Sequence, residues 1–407
     1  MSDLGTMLGS YTGWASALVR DEPGPLSLRT GTWATLDAWR HEARTRVREL
    51  MAGPEVVAPE ARTLSVANLD GLRVEHLAWQ LPYGPETRAV LLRPQGTTGK
   101  LPGVVALHDH GGIKAFGYRK IAMTTTEPHP FLVAFQKQAY GGRAWANELA
   151  RRGYAVLVHD GFLFGSRRVL ARDLPPVVVE RMLDDPLHPH EMTPEDARER
   201  ERPADDRWDL GAWEAPREIE RYNAFAAAHE SIVAKSLFSA GTTWPGMVFA
   251  DDRAALDVLA ARQDVDARRL GCAGLSGGGL RTNLLAGLDD RIRCAVSVGF
   301  MTTWRDFLRS VSHTHTWMVY IPHLPRYLDY PEILGLRTPS PALVQVTTED
   351  PLYTQPEIGR AETILRGVYQ KAKAPDALRF SRYPGPHKFD VPMQEEAFDW
   401  MDQWLRR

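Results

Sequence analysis

Short apolar runs alternate with amphipathic segments along the chain from about residue 60 to its end. The runs are rich in Val, Leu and Ala: GVVALHDHGG (103–112), YAVLVHDG (154–161), RLGCAGLS (269–276), IRCAVSVGF (292–300), PALVQVTTED (341–350) and LRFSRYPG (378–385). Runs of this kind are typical of strands buried on both faces of a parallel sheet. The segments between them, and the segment 391–405 after the last run, place apolar residues at helical spacing. The alternation predicts an α/β fold, a mostly parallel sheet flanked by helices.

The N-terminal part of the chain departs from this alternation. Residues 31–52 show the apolar spacing of a single helix, and Asp70-Gly71 separates two β-rich runs, which is a hairpin signal. We therefore divide the chain into an N-terminal helical arm, residues 1–60, and a main domain, residues 61–407.

A second departure is the long connection at about residues 161–245. It contains five prolines within 175–194 and the charged run EDARERERPADDRWD, followed by RYNAFAAAHESIVAKSLFSA, which has a helical and partly apolar pattern. Connections of this length inside a domain are usually functional or disordered. The segment is either a solvated surface insertion or a cap over the C-terminal edge of the sheet, and we favour the cap.

Composition and charge exclude several classes of function. The 407 residues carry a formal net charge of -2, which provides no basic field for nucleic acid or an anionic membrane. No apolar stretch approaches the roughly 18 residues of a membrane span, and the first residues lack a secretory signal pattern. The two cysteines, Cys272 and Cys294, lie in strand-like runs, so we expect buried reduced thiols and a cytoplasmic location.

The most informative short motif is GLSGGG, residues 274–279, placed between a predicted strand and a predicted helix. Glycines on both sides of Ser276 permit a tight strand-to-helix turn that lifts the serine above the sheet edge, beside a helix N-terminus. This pattern predicts a nucleophile elbow. A phosphate-binding loop is an alternative, although the P-loop lysine and the dinucleotide spacing are missing. Ser276 could also be a simple helix N-cap.

A serine nucleophile needs a base, and the base needs a carboxylate to orient it. Both follow Ser276 in the chain order Ser, acid, His: Asp350 after the run PALVQVTTE, and His387 in the loop after LRFSRY. The carboxyl ends of parallel strands lie at one edge of the sheet, so Asp350 and His387 should lie at the same edge as Ser276. Glu349 is the alternative acid, and we favour Asp350 because Asp350-Pro351 resembles the turn that usually carries it.

The oxyanion of acyl transfer needs two N–H donors. Gly277, directly after the nucleophile, should supply one, and the loop from His108 to Gly112 after an earlier strand should supply the other. The sequence leaves Asp109, His110 and Gly111 as candidates, and we favour His110, with Gly111 beside it.

These motifs together resemble the α/β-hydrolase-fold serine hydrolases, nearest to the dienelactone hydrolase and acetyl xylan esterase-like group. The resemblance spans roughly residues 60–407 and rests on HDHGG, GLSGGG, TTEDPLY and GPHKF in that order. It implies ester or related acyl hydrolysis with no metal and no organic cofactor. Ser276 departs from the cysteine nucleophile of dienelactone hydrolases proper, and the arm and the insertion depart from a minimal hydrolase.

Three H-x-H pairs, beginning at His108, His188 and His313, are conceivable metal ligands, but none has a third ligand at a diagnostic distance. We therefore expect no metal site.

The aromatic segment from Trp317 to Tyr330 is expected either to line the pocket or to pack in the core.

The sequence predicts a cytoplasmic serine esterase that acts on a small or medium ester. A peptidase or amidase of the prolyl oligopeptidase-like kind shares the fold and the order of the three residues, but no N-terminal propeller is present. A non-catalytic binding module is the third hypothesis. The expected partner is a small-molecule ester, without nucleic acid or membrane, and assembly into a homo-oligomer is left open.

Overall fold

A computed structural model describes residues 6–19, 22–183 and 216–406, and the described residues form a nine-stranded sheet. Its strands are β1 (Arg62–Leu69), β2 (Leu72–Trp79), β3 (Thr87–Pro94), β4 (Leu101–Leu107), β5 (Ala155–His159), β6 (Val265–Leu275), β7 (Ile292–Val298), β8 (Ala342–Thr347) and β9 (Leu378–Tyr383). Their spatial order is β1-β2-β3-β5-β4-β6-β7-β8-β9. The predicted α/β class is confirmed.

The sheet is antiparallel at one end and parallel through the rest. β1, β2, β3 and β5 pair antiparallel in succession, whereas β5, β4, β6, β7, β8 and β9 are parallel neighbours. Asp70 and Gly71 have φ of 49° and 76° and close the predicted hairpin between β1 and β2. The sequence analysis missed β3, which joins this hairpin to the parallel part.

Helices cover both faces of the sheet. They are α1 (Thr12–Ser16), α2 (Leu36–Met51), α3 (Pro130–Ala139), α4 (Trp145–Arg151), α5 (Pro176–Leu183), α6 (Pro216–Ser239), α7 (Trp244–Ala260), α8 (Gly277–Leu288), α9 (Trp304–Asp306), α10 (Tyr330–Gly335), α11 (Gln355–Lys371) and α12 (Val391–Leu405). Apolar residues of α4 and α12 form the core on one face, and those of α2, α7, α8, α10 and α11 form the core on the other. Cys272 and Cys294 are buried and unpaired, as predicted.

The arm packs onto the main domain through α2. Thr35 caps this helix by accepting a hydrogen bond from the Ala38 N–H. Trp39 is fully buried, and the Arg44 guanidinium donates to the carbonyls of Gly287 and Leu336 beyond the helix. The division at residue 60 stays a prediction, since this contact joins the arm to the common core.

The described part of the insertion lies over the loop that follows β4. Helix α6 confirms the helical pattern at 221–240, and its Ile219 and Phe225 pack with α5 against Ile113 and Phe116. The charged run EDARERERPADDRWD and the pair at His188 lie outside the described residues. Within the described ranges, no helix is both long and apolar enough to cross a membrane.

Candidate active site

Ser276 lies at the turn between β6 and α8 in a backbone conformation that few residues adopt. Its φ and ψ are 58° and −121°, and its N–H donates to the Val298 carbonyl at 2.8 Å. A Cβ atom on Gly274 or Gly278 would lie 2.4 or 2.1 Å from the Leu107 carbonyl oxygen. Both glycines are therefore required by the close approach of β4, and the strained serine has the geometry of an elbow.

His387 and Asp350 form a hydrogen-bonded pair on loops after the last two strands. The distance from His387 Nδ1 to Asp350 Oδ2 is 2.6 Å, and Asp350 Oδ1 accepts from the Leu352 N–H at 3.0 Å. Asp350 is buried, whereas Glu349 is exposed. Because the carboxylate accepts from Nδ1–H, the lone pair of His387 lies on Nε2, the nitrogen that a general base would use.

Gly299 brings the imidazole of His387 next to the elbow. This glycine follows Val298, whose carbonyl binds the Ser276 N–H, and it has φ of 59°. A Cβ atom there would lie 2.8 Å from His387 Cε1 and 3.1 Å from Leu275 Cδ1. The ring thus rests on the backbone at the end of β7. His387 Nε2 is buried and has no hydrogen-bond partner among the described residues.

The loop after β4 approaches the elbow from the opposite side. A Cβ atom on Gly277 would lie 2.8 Å from the backbone nitrogen of His110, so these two residues are in direct contact. Gly111 and Gly112 have φ of 55° and 68°, which lets the loop turn sharply. A side chain on Gly111 would also collide with the carboxylate of Asp109, at 2.3 Å from Oδ2.

A buried arginine supports the start of this loop. Arg281 on α8 donates to the His108 carbonyl at 3.2 Å, and its guanidinium forms a bidentate pair with Asp252, with distances of 2.6–3.1 Å. His159, at the end of β5, contacts the same carboxylate at 3.0 Å. Although burial opposes ionisation, Arg281 and His159 lower the pKa of Asp252, so the pair is charged.

The side chain of His110 connects the loop to helix α6. Its Nδ1 accepts from the Gly112 N–H at 3.1 Å, so Nε2 carries the proton and donates to Glu230 at 2.7 Å. Burial lowers the pKa of His110 despite this carboxylate, which keeps the ring neutral. The Lys114 ammonium also donates to Glu230. Burial alone would raise the pKa of Glu230, but Lys114 and His110 outweigh it and lower the pKa to about 2.

Lys120 lies behind the loop and is completely buried. Its ammonium donates to the Asp109 carbonyl, to Asp109 Oδ2 at 3.2 Å, and to the carbonyls of His110 and Ile113 at 3.1 and 3.4 Å. The hydroxyl of Tyr140 donates to the other carboxylate oxygen of Asp109.

Aromatic rings line the side of the site behind Asp350. His315 packs edge-on against Phe307, with 4.9 Å between ring centroids, and lies 5.0 Å from the ring of Tyr353. Burial lowers the pKa of His315 to about 4. Nothing in the described ranges groups three or more metal-ligating side chains.

The segment from Trp317 to Tyr330, expected either to line the pocket or to pack in the core, contributes many buried core residues, and part of it also lines a cavity away from Ser276. This cavity, of about 680 Å³, lies between residues 17–19 and 22–29 of the arm and residues 304–329. Trp304 lines it, but Ser276, Asp350 and His387 do not. Trp317 is partly exposed, and Trp244 is buried in the core.

The structure thus places Ser276, His387 and Asp350 at one sheet edge, with Gly277 and His110 facing them. The sequence analysis did not identify Gly299, Lys120, Arg281 or Glu230. A signal existed for Arg281, because it is the one charged residue in the helix GGGLRTNLLAGL, and the structure buries every residue of that helix. No local pattern indicated the others, whose contacts join distant parts of the chain.

Comparisons with known proteins agree with this architecture. A sequence model of the prolyl oligopeptidase family matches residues 239–333, which hold the elbow. The chain is 24% identical over 368 residues to "Putative hydrolase YtaP" of Bacillus subtilis (strain 168), covering 90% of this chain and 100% of that protein.

Solved structures also share the fold, and two of them illustrate the likeness. A "putative acetyl xylan esterase" from Bacteroides fragilis NCTC 9343 aligns with a TM-score of 0.64 at 16% identity, over 94% of this chain and 84% of that one. A glucuronoyl esterase from Solibacter usitatus aligns with a TM-score of 0.58 at 14% identity, over 95% and 99%. The strained elbow between a strand and a helix and the chain order of Ser276, Asp350 and His387 are those of the α/β-hydrolase fold. The chain therefore has the α/β-hydrolase fold.

Proposed function

We propose that this protein is a serine hydrolase that cleaves a carboxylic ester of small or medium size through an acyl-enzyme. The observation that carries the proposal is the hydrogen bond between His387 Nδ1 and Asp350, which leaves Nε2 unpartnered within the described residues beside the Ser276 elbow. A base with an oriented lone pair next to a strained serine is the arrangement that nucleophilic acyl transfer requires.

The steps follow from this arrangement. His387 Nε2 accepts the proton of Ser276 as its hydroxyl attacks the ester carbonyl, while Asp350 stabilises the imidazolium. The negative charge that develops on the carbonyl oxygen is stabilised by the N–H groups of Gly277 and His110. His387 then protonates the leaving alcohol and activates the water that releases the acid. No metal or organic cofactor takes part, so dialysis against EDTA should leave the rate unchanged.

Esters are favoured over peptides by the relatives with solved structures, whose names describe an acetyl xylan esterase and a glucuronoyl esterase. The match to the prolyl oligopeptidase family supports a peptidase or amidase as the second candidate. Helix α6 packs over the loop after β4 and so covers one side of the site, which favours small ligands over folded polymers.

A series of p-nitrophenyl esters beside an alanyl or prolyl anilide tests the reaction class. We expect kcat/KM to be highest from acetyl to butyryl, to fall steeply by octanoyl, and to be at least about 100-fold lower for the anilides. A fluorophosphonate probe should label wild type and leave Ser276→Ala unlabelled. An octanoyl optimum would indicate a lipase-like pocket, and a faster anilide would favour the peptidase. Absence of labelling would favour a binding module.

The proposal includes a cytoplasmic location. It is supported by the two thiols, Cys272 and Cys294, which are both buried and unpaired, as is usual in a reducing compartment.

A further inference from the structure

The backbone of the loop after β4 has its carbonyl groups turned toward a buried cation. The ammonium of Lys120 donates to the carbonyls of Asp109, His110 and Ile113, and no part of the lysine is exposed. An ammonium has three N–H donors, and the four acceptors around this one, the three carbonyls and Asp109 Oδ2, all belong to the loop, so no donor is left for another partner.

The peptide between Asp109 and His110 shows what this contact achieves. In a planar trans peptide the C=O and N–H groups point in opposite directions. The Asp109 carbonyl accepts from Lys120 and also lies 2.9 Å from His108 Nδ1, so the His110 N–H points away from both groups. The backbone nitrogen of His110 is also the atom nearest to a Cβ built on Gly277, at 2.8 Å. The His110 N–H is therefore turned away from Lys120, on a nitrogen that is in contact with Gly277, the residue expected to supply the other donor.

We propose that Lys120 is the positioning residue of the oxyanion hole: by binding the Asp109 carbonyl it fixes the His110 N–H as the second donor. The inference rests on the proposed function, because it concerns the same site. It selects His110 from the three donors that the sequence left open.

The surroundings of the ammonium are arranged to hold it in one place. Asp109 Oδ2 binds it directly, Tyr140 fixes the other oxygen of that carboxylate, and the ring of Phe164 covers a further side at 4.7 Å from its centroid. The titratable and charged groups that face it or interact with it electrostatically are Asp109, Tyr140, Asp160, Arg281, His108 and His110. Burial lowers the pKa of Lys120 to about 8, although Asp109 opposes the shift.

The first test replaces the cation by an apolar side chain of similar length. Lys120→Met should lower kcat for p-nitrophenyl acetate at least about a hundredfold, the usual loss for one oxyanion donor, with KM within about threefold. Affinity for a trifluoromethyl ketone analogue should fall by the same factor as kcat/KM.

Arg337→Met is the matched control. Arg337 is also a buried cation that donates to backbone carbonyls, those of Pro341 and Ile292, and it lies outside the site. This variant should lower the melting temperature and leave kcat unchanged. If Lys120→Met keeps kcat within about threefold of wild type, or changes KM alone, the inference is wrong.

A second measurement, the pH profile of kcat, uses proteins that keep a basic side chain at position 120. A neutral amine turns a lone pair toward carbonyl oxygens, so kcat of wild type should fall above pH 8 with an apparent pKa near 8. In Lys120→Arg this alkaline limb should move above about pH 10, because guanidinium keeps its proton. A level wild-type profile to about pH 9.5, or the same limb in Lys120→Arg, would overturn the role of Lys120.

The two proposals fail in different ways. If wild type hydrolyses none of the esters and is not labelled by the fluorophosphonate, the proposed function is wrong. If wild type is an active esterase and the Lys120 variants behave as wild type, only the positioning role is wrong.

Discussion

On one flank of Ser276 a single pair, Asp350 and His387, supplies the acid and base, whereas on the other flank several buried charges hold the oxyanion loop. The first flank depends on one hydrogen bond, and it is partly open to solvent, since a fifth of the His387 side chain is exposed. On the second flank, Lys120 and Arg281 are buried and bind loop carbonyls, and Glu230 binds the loop from α6.

The difference reflects what each flank must hold in place. A side chain such as His387 is oriented by one hydrogen bond, because its ring is rigid and only two torsions must be fixed. A backbone N–H is oriented only if the whole peptide plane is fixed, which requires partners for the carbonyls on either side of it. Burying a cation costs free energy unless the cation is fully paired. Each buried cation that holds the loop therefore needs its own carboxylate and carbonyl partners, which adds charges and contacts on this flank.

Removing the reacting groups themselves should give the largest effect. Ser276→Ala and His387→Ala should each lower kcat by about a thousandfold or more, because the members of such a site act as a unit. Steady-state rates with p-nitrophenyl acetate measure the loss, and thermal melts establish that both variants stay folded. Activity within about tenfold of wild type in either folded variant would contradict the mechanism.

The acid should be nearly as important. Asp350→Asn should lower kcat on the order of thousands-fold, because an amide cannot hold the imidazole in the required tautomer or stabilise its charge. Glu349→Gln is the matched control: its carboxylate is adjacent but exposed, and its kcat should equal that of wild type. The opposite ranking would identify Glu349 as the acid.

The acid–base flank was largely predictable from the sequence. The glycines around Ser276 are required by close contacts with β4, the loop after it and the end of β7, but the glycines themselves lie in one run, 274–279, and so leave a short motif. Asp350 and His387 follow their strands directly, and a parallel sheet brings strand ends together. The spacing of residues along the chain was therefore enough to predict most of this flank.

The oxyanion flank was predictable only as a loop. Lys120 bonds Asp109 from eleven residues away, and Glu230 bonds His110 from 120 residues away. Neither contact has a periodicity or a spacing that the sequence displays. Strand β3 was missed for a related reason, since its pairing with β5 depends on which strands become neighbours.

Gly299 tests whether the His387 ring depends on its backbone support. Gly299→Ala would place a Cβ atom 2.8 Å from His387 Cε1 and displace the ring, and a shift of about 1 Å can cost about a hundredfold in kcat. Gly96→Ala is the control, because Gly96 also has a positive φ, of 66°, but open space around it. Both variants should lose stability through backbone strain, and only Gly299→Ala should lose kcat. Equal kcat values in the two variants would show that the ring does not depend on Gly299.

The smallest expected effect concerns the link between α6 and the oxyanion loop. Glu230→Gln keeps the shape of the side chain but leaves Lys114 as a buried cation without its counter-charge, which should cost roughly 3 kcal/mol of stability. Because the loop is still held by Lys120, kcat/KM should fall only about tenfold.

The same substitution should remove a pH dependence of stability. The folded pKa of Glu230, about 2, is below the ordinary value of 4.5, so its contribution is present above pH 4.5 and is lost as pH falls toward 2. In chemical unfolding between about pH 2.5 and 7, the stability advantage of wild type over Glu230→Gln should be largest near pH 7 and should shrink as the pH falls. Glu220→Gln, on an exposed position of the same helix, should unfold as wild type at every pH. If Glu230→Gln matches Glu220→Gln in stability and in kcat/KM, helix α6 covers the loop without holding it.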